Sequence, residues 1–197
     1  MKEACIGVLL AFCSLTSQAA EKKAWQKLEG CQYLPSKYND GDSFLVQCGK
    51  EKFYVRLYFV DCPELDLSAG DRVRQQYEYF GVTLDEVTRA GARAGDLVKG
   101  RLSRKPFVIQ TRKAFAPGRG KSTRYYSLVQ VEGKYLHEIL LGEGLARNKG
   151  TIVGLPGGEK ARAHQDALQG IEDAARVARK GVWATHEPAK RVLKSPF

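Results

Sequence analysis

The residues best suited to chemistry are carboxylates and arginines at the ends of apolar runs. Asp40-Gly41-Asp42 precedes one run, and Asp61-Cys62-Pro63-Glu64 follows another. If neighbouring strands of a meander bring Asp42 and Asp61 together, they offer the hard oxygen donors that Ca²⁺ takes. Glu64 then lies slightly further out, able to accept a proton from water. Arg56 sits inside the second run and Arg124 opens a later one. A cation, guanidinium forks and a base for water are what phosphodiester hydrolysis asks for. Each residue also has a plainer reading: Asp-Gly is a common hairpin turn, Arg56 an outward-facing strand arginine and Arg124 a solvated loop charge.

The elements that must position these groups are mostly strands. Aromatic and β-branched runs at 44–46 and 53–60 are separated by turn clusters at 39–42 and 49–50, and the β signal spans 30–60. Residues 65–80 form a polar, Arg- and Gln-bearing stretch. Thr83-Leu84-Asp85-Glu86 is a capping box, and apolar residues continue at helical spacing to about Ser103. Gly91 and Gly95, four apart in that helix, permit close packing on the strands. Further strands are expected at 107–111 and 125–131, then helices at 136–141 and 159–179, with Trp183 tucking the end onto the body. The order predicts an α+β, mainly β fold: a five-stranded OB-type Greek-key barrel with about three packed helices.

The chain has 197 residues, 43% of them hydrophobic, with a net charge of +10. That balance fits one soluble domain whose partner is a polyanion, because each neutralised phosphate releases counterions. Residues 1–19 read as a Sec-type signal peptide: Lys2 leads an apolar run that ends at Ser17-Gln18-Ala19. Residues 20–29 read as a mobile segment, 30–186 as the domain and 187–197 as a basic tail. Export to a secreted or periplasmic location is expected, with no stable membrane association once the leader is cleaved. Its loss leaves Cys31, Cys48 and Cys62. Cys31 and Cys48 flank the 39–42 turn at similar distances, so a hairpin would pair them in a disulfide, with two buried thiols as the alternative. His137, His164 and His186 show no ligand spacing, and no zinc cluster is expected.

Asp40-Gly41-Asp42-Ser43, the run from Arg56 to Glu64, and Gly133-Lys134-Tyr135-Leu136-His137-Glu138 with Gly144-Leu145-Ala146 resemble the landmarks of the staphylococcal nuclease (thermonuclease) family, in the family's order. The resemblance spans roughly residues 30–183. It implies Ca²⁺ as cofactor, with Asp42 and Asp61 as ligands and the Cys62 backbone carbonyl as a third. It implies Glu64 as the residue that positions or deprotonates water, and Arg56 and Arg124 as the arginines that grip the phosphate. It implies a monomeric enzyme that cuts DNA, RNA or both and leaves 3′-phosphate ends; a non-catalytic OB-fold binder of nucleic acid is the alternative. Lys121, Tyr125 and Tyr126 are candidate substrate contacts. The chain departs from the family at Cys62, where threonine is usual, and at Ser122-Thr123, which replaces Tyr-Gly. It also lacks stacking tyrosines after Ala146, and its 65–81 segment is longer.

Overall fold

A computed structural model describes residues 24–65, 68, 70–118 and 122–185. The leader at 1–19 and the tail at 187–197 lie outside the described residues. Strands β1 (Gln26–Tyr33), β2 (Ser43–Cys48), β3 (Glu51–Leu57), β4 (Phe107–Phe115) and β5 (Arg124–Val131) pair in the order β3-β2-β1-β4-β5. A parallel pairing of β3 with β5 closes the barrel, while the two-residue β6 (Lys134–Tyr135) extends β5. The architecture is the five-stranded OB-type barrel expected from the strand order.

Alternation explains the closure. In β3, Phe53, Val55 and Leu57 are buried, whereas Tyr54 and Arg56 face the other way. The inward set meets Phe44, Val46, Ile109 and Leu128 in one core cluster. Cys31 and Cys48 are joined by a disulfide, their Cα atoms 4.3 Å apart.

Helices α1 (Gly70–Phe80), α2 (Leu84–Leu102), α3 (Leu136–Gly142) and α4 (Ala161–Val177) pack outside the barrel, and a 3₁₀ turn covers Gly181–Thr185. Thr83 caps α2 with the reciprocal Glu86 bond that the sequence specifies. Gly91 lets α2 approach closely, since a Cβ there would lie 2.5 Å from the Glu64 carbonyl oxygen; Gly95 has open space.

The fold differs from the sequence reading in two places. β1 begins at Gln26, inside the segment read as mobile, because its polar residues are held by pairing with β4. The polar stretch at 65–80 contains α1, a fourth helix. Its buried positions are Val73, Gln76 and Phe80, a stripe whose middle residue is polar. The Tyr79 hydroxyl donates to the buried Glu172 carboxylate (2.6 Å), tying α1 to α4.

Candidate active site

The carboxylates converge at one end of the barrel. Asp42 immediately precedes β2, and the register places Ser43 opposite Arg56 of β3. Beyond Leu57 the chain turns sharply: Phe59 adopts φ 71°, a left-handed conformation unusual for a bulky residue. Two contacts hold the turn. The Phe59 amide donates to the Thr151 carbonyl (3.0 Å), and Asp61 pairs in both directions with the Arg147 backbone. The detour brings Asp61, Cys62 and Glu64 back beside Asp42.

Arg56 lies between the two aspartates. One of its nitrogens bonds Asp42 and the other lies 3.3 Å from Asp61. Burial opposes its charge, but Asp42, Asp61 and Asp40 outweigh that cost and hold its proton more tightly than usual. The other Asp42 oxygen accepts from the Cys62 amide (2.8 Å). Asp40 accepts from the Asp42 and Ser43 amides (3.0 and 2.6 Å), which shapes the turn. Burial and the neighbouring Asp42 push the Asp40 carboxyl up to about 8. Asp42 is also raised, chiefly by burial, with Arg56 opposing.

Asp61 is the most heavily bonded carboxylate. Its Oδ1 meets Arg56 and Arg72 (2.8 Å), and its Oδ2 meets Gln76 (3.0 Å) and Arg147 (2.9 Å). Burial alone would raise its pKa, but the Gln76 bond and the arginines around it bring it below the usual range. Glu64 is half-buried and lies 2.7 Å from Arg72. Burial raises its pKa and Arg72 opposes the shift. The Cys62 carbonyl accepts from Gln76 (2.9 Å), and its thiol is raised well above the ordinary range, mainly by burial.

Arg124, at the start of β5, reaches the same end of the barrel. Its guanidinium lies 3.3 Å from the Ser43 hydroxyl and 3.4 Å from the Ala116 carbonyl. Gly118 makes room for it, because a Cβ there would fall 2.1 Å from the guanidinium. Partial burial and the nearby Arg56 lower its pKa, so a second anion beside it would be welcome. Tyr125 tilts against Phe53, and Tyr126 stacks on Tyr58 (5.1 Å), so both rings pack on the barrel wall. Lys121 lies outside the described residues.

Sequence reading missed four members of this cluster. Asp40 was visible in Asp-Gly-Asp, and Arg147 directly follows the Gly144-Leu145-Ala146 landmark. Arg72 and Gln76 stand four apart in a polar stretch, one helical turn on one face, and that spacing was the available signal. One expectation is corrected: His137 and His164 do come together, their Nε2 atoms 2.9 Å apart where α3 packs on α4.

The hard-oxygen set of Asp42, Asp61 and the Cys62 carbonyl fits Ca²⁺ in chemical type. The arginines already bonded to Asp61 are the opposing observation, and Arg72, with its side chain 47% exposed, is the one free to withdraw.

A closed five-stranded barrel with carboxylates and arginines gathered at one end defines the class as an OB-type barrel of nuclease architecture. The family model for staphylococcal nuclease homologues matches residues 54–185, and the chain belongs to that family. No curated protein matches the chain.

Proposed function

We propose that the chain is a secreted or periplasmic calcium-dependent nuclease that hydrolyses phosphodiester bonds of DNA, RNA or both and leaves 3′-phosphate ends. The observation that carries this reading is the convergence of Arg56, Arg124, Asp42, Asp61 and Glu64 at one barrel end. A barrel that merely binds nucleic acid has no use for three carboxylates gathered beside its arginines.

Arg56 and Arg124 orient the phosphate and stabilise the charge that grows on its oxygens in the transition state. Glu64, whose proton affinity is raised by burial, takes a proton as water oxygen bonds to phosphorus. The bond from phosphorus to the 5′ oxygen breaks, its electron pair stays on that oxygen, and a proton from solvent water completes the leaving hydroxyl. Asp42 and Asp61, with the Cys62 carbonyl, would hold the calcium ion. When bound, calcium supplies a Lewis acid for a phosphate oxygen. Gln76, which belongs to the longer 65–81 segment, holds Asp61, the Cys62 carbonyl and the Glu64 amide in place.

Two features support export. The Cys31–Cys48 disulfide suits an oxidising compartment, and residues 1–19 have the signal-peptide pattern. Among the described residues no helix is long and apolar enough to cross a membrane.

The test is incubation of the purified chain with single-stranded DNA and with RNA, in Ca²⁺ or in chelator, beside a Glu64→Ala variant. Cleavage that needs Ca²⁺, leaves 3′-phosphates and collapses in the variant supports the reading. Tight binding without cleavage, unchanged by Glu64→Ala, replaces it with a binding module.

A further inference from the structure

We propose that His137, His164 and Glu138 form a second metal site, selective for zinc-type divalent ions, that clamps α3 to α4 behind the strand exit leading to Asp61. One ligand atom from each of these residues lies within 4.8 Å of the others. Among the described residues this is the one such group of three His, Cys, Asp or Glu ligands.

The chemistry of the donors selects the ion. Two imidazoles and one carboxylate suit zinc, whereas calcium takes oxygen ligands alone. Zinc–nitrogen bonds are about 2.0–2.1 Å, so two imidazole nitrogens on one tetrahedral ion stand about 3.3–3.4 Å apart. The observed Nε2–Nε2 separation of 2.9 Å is a hydrogen-bond distance, about 0.4–0.5 Å short of that span, so the two rings would part slightly to admit the ion. Three protein ligands leave one tetrahedral position for water, and the half-buried Glu138 marks the side from which solvent reaches it.

The surroundings favour an occupied site. His164 Nδ1 lies 3.4 Å from the Glu159 carboxylate. That contact places the ring proton on Nδ1 and turns the Nε2 lone pair toward His137. A carboxylate behind a histidine is the usual outer support of a metal ligand. Glu138 and Glu159 together balance a divalent charge in a region where His137 is fully buried and His164 is nearly so. The Phe59 ring packs on both imidazoles, with centroids at 5.3 and 4.9 Å. The clamp therefore braces the left-handed turn at Phe59, two residues before Asp61. A simple hydrogen bond between the rings accounts for the imidazole distance, and Glu138 also accepts from the Tyr135 amide (3.0 Å) at the start of α3, so a metal would share that carboxylate with the helix cap.

Equilibrium dialysis of the metal-free full chain against Zn²⁺, followed by metal analysis, tests the site. Co²⁺ serves as a spectroscopic probe. We expect one equivalent of zinc, a tetrahedral Co²⁺ visible band and a thermal midpoint that rises with Zn²⁺. His164→Gln should weaken zinc binding at least about a hundredfold, as loss of a direct ligand exceeds the loss seen for outer-support residues. Asp42→Asn should retain zinc, which separates this site from the calcium carboxylates. Should His164→Gln fail to fold, imidazole nitrogen NMR of the wild type decides: zinc uptake shifts both Nε2 resonances and leaves the proton on Nδ1 in both rings. Zinc content no higher than in a folded His164→Gln chain, or Nε2 resonances unmoved by Zn²⁺, overturns the proposal.

Discussion

The guanidinium of Arg72 lies 2.7 Å from Glu64, and the same nitrogen lies 2.8 Å from Asp61. A single residue of α1 thus joins the proposed base to a proposed metal ligand, on the same Asp61 oxygen that Arg56 approaches. Arg72→Ala removes a positive charge that competes with calcium for Asp61, so calcium binding should tighten. A partly exposed pair is worth about 1 kcal/mol at most, which limits the gain to roughly fivefold. The substitution also removes the interaction that lowers the Glu64 pKa, so the acid limb of the pH–rate profile should move to higher pH. Calcium titration calorimetry and a pH profile of cleavage check the two effects. Unchanged affinity with an unchanged limb would make Arg72 a bystander.

Arg56 has a different part, because both of its partners are buried. Arg56→Ala leaves Asp42 and Asp61 without their shared cation, a loss of about 3–5 kcal/mol for a broken buried pair. Cleavage should fall about 10²–10³-fold, as for removal of one transition-state donor. Arg56→Lys keeps the charge without the fork, so it should recover most of the stability and little of the rate. Denaturant melts beside kcat for the two variants separate these contributions. Equal rates for lysine and arginine would reduce Arg56 to a counter-ion.

The barrel was legible because its core strands alternate and its principal helix announces its own cap. Phe53, Val55 and Leu57 mark one face of β3, and Thr83 with Glu86 starts α2. Most of the candidate site was legible as carboxylates and arginines at strand ends. α1 was not, because its buried stripe contains Gln76, which is inside only because Asp61 and the Cys62 carbonyl accept its hydrogen bonds. The start of β1 was hidden for a related reason, since its burial alternates little and Lys27 and Glu29 pair on the surface. The meeting of His137 with His164 depends on how α3 packs on α4, and no local pattern in either helix encodes it.

Gly91 and Gly95 share a helix and should respond oppositely to alanine. At Gly95 a methyl meets nothing within 4 Å, so the helix-propensity gain of about 1 kcal/mol should appear as added stability. At Gly91 the methyl would press on the carbonyls of Pro63 and Glu64, at 2.6 and 2.5 Å. Overpacking of this kind costs about 1–3 kcal/mol and displaces Glu64, so cleavage should also decline. Thermal melts and kcat for both variants check the contrast. A harmless Gly91→Ala would show that the Pro63–Glu64 turn yields easily.

Reduction of the Cys31–Cys48 disulfide frees a loop with a sequence separation of 17 residues. The chain-entropy relation gives a loss of about 3 kcal/mol. Urea melts with and without reductant measure it, and Cys31→Ala with Cys48→Ala should reproduce the reduced state. Coincident melts would mean that the β1–β2 and β2–β3 pairings alone hold this corner.

Asp40 ties stability to pH with a sign that is easily tested in chelator. Its folded pKa is raised to about 8 by burial and by Asp42, against 3.8 for an ordinary aspartate. Between those values the folded state holds a proton that the unfolded chain has released. The stabilisation is complete below about pH 4 and is lost as pH rises toward 8, at up to about 1.4 kcal/mol per pH unit for one proton. Asp40→Asn mimics the protonated side chain and keeps an oxygen for the Asp42 and Ser43 amides, so its stability lacks this slope. The variant should match the wild type near pH 4 and exceed it increasingly up to pH 8. Asp42 is raised as well and Asp61 is lowered, so the informative quantity is the difference between variant and wild type at each pH. Calcium should reduce that difference at pH 8, because a cation among the carboxylates stabilises the ionised Asp40. A difference that is flat with pH would mean that Asp40 is ionised in the folded protein, and that Arg56 alone is enough to hold both turn aspartates charged.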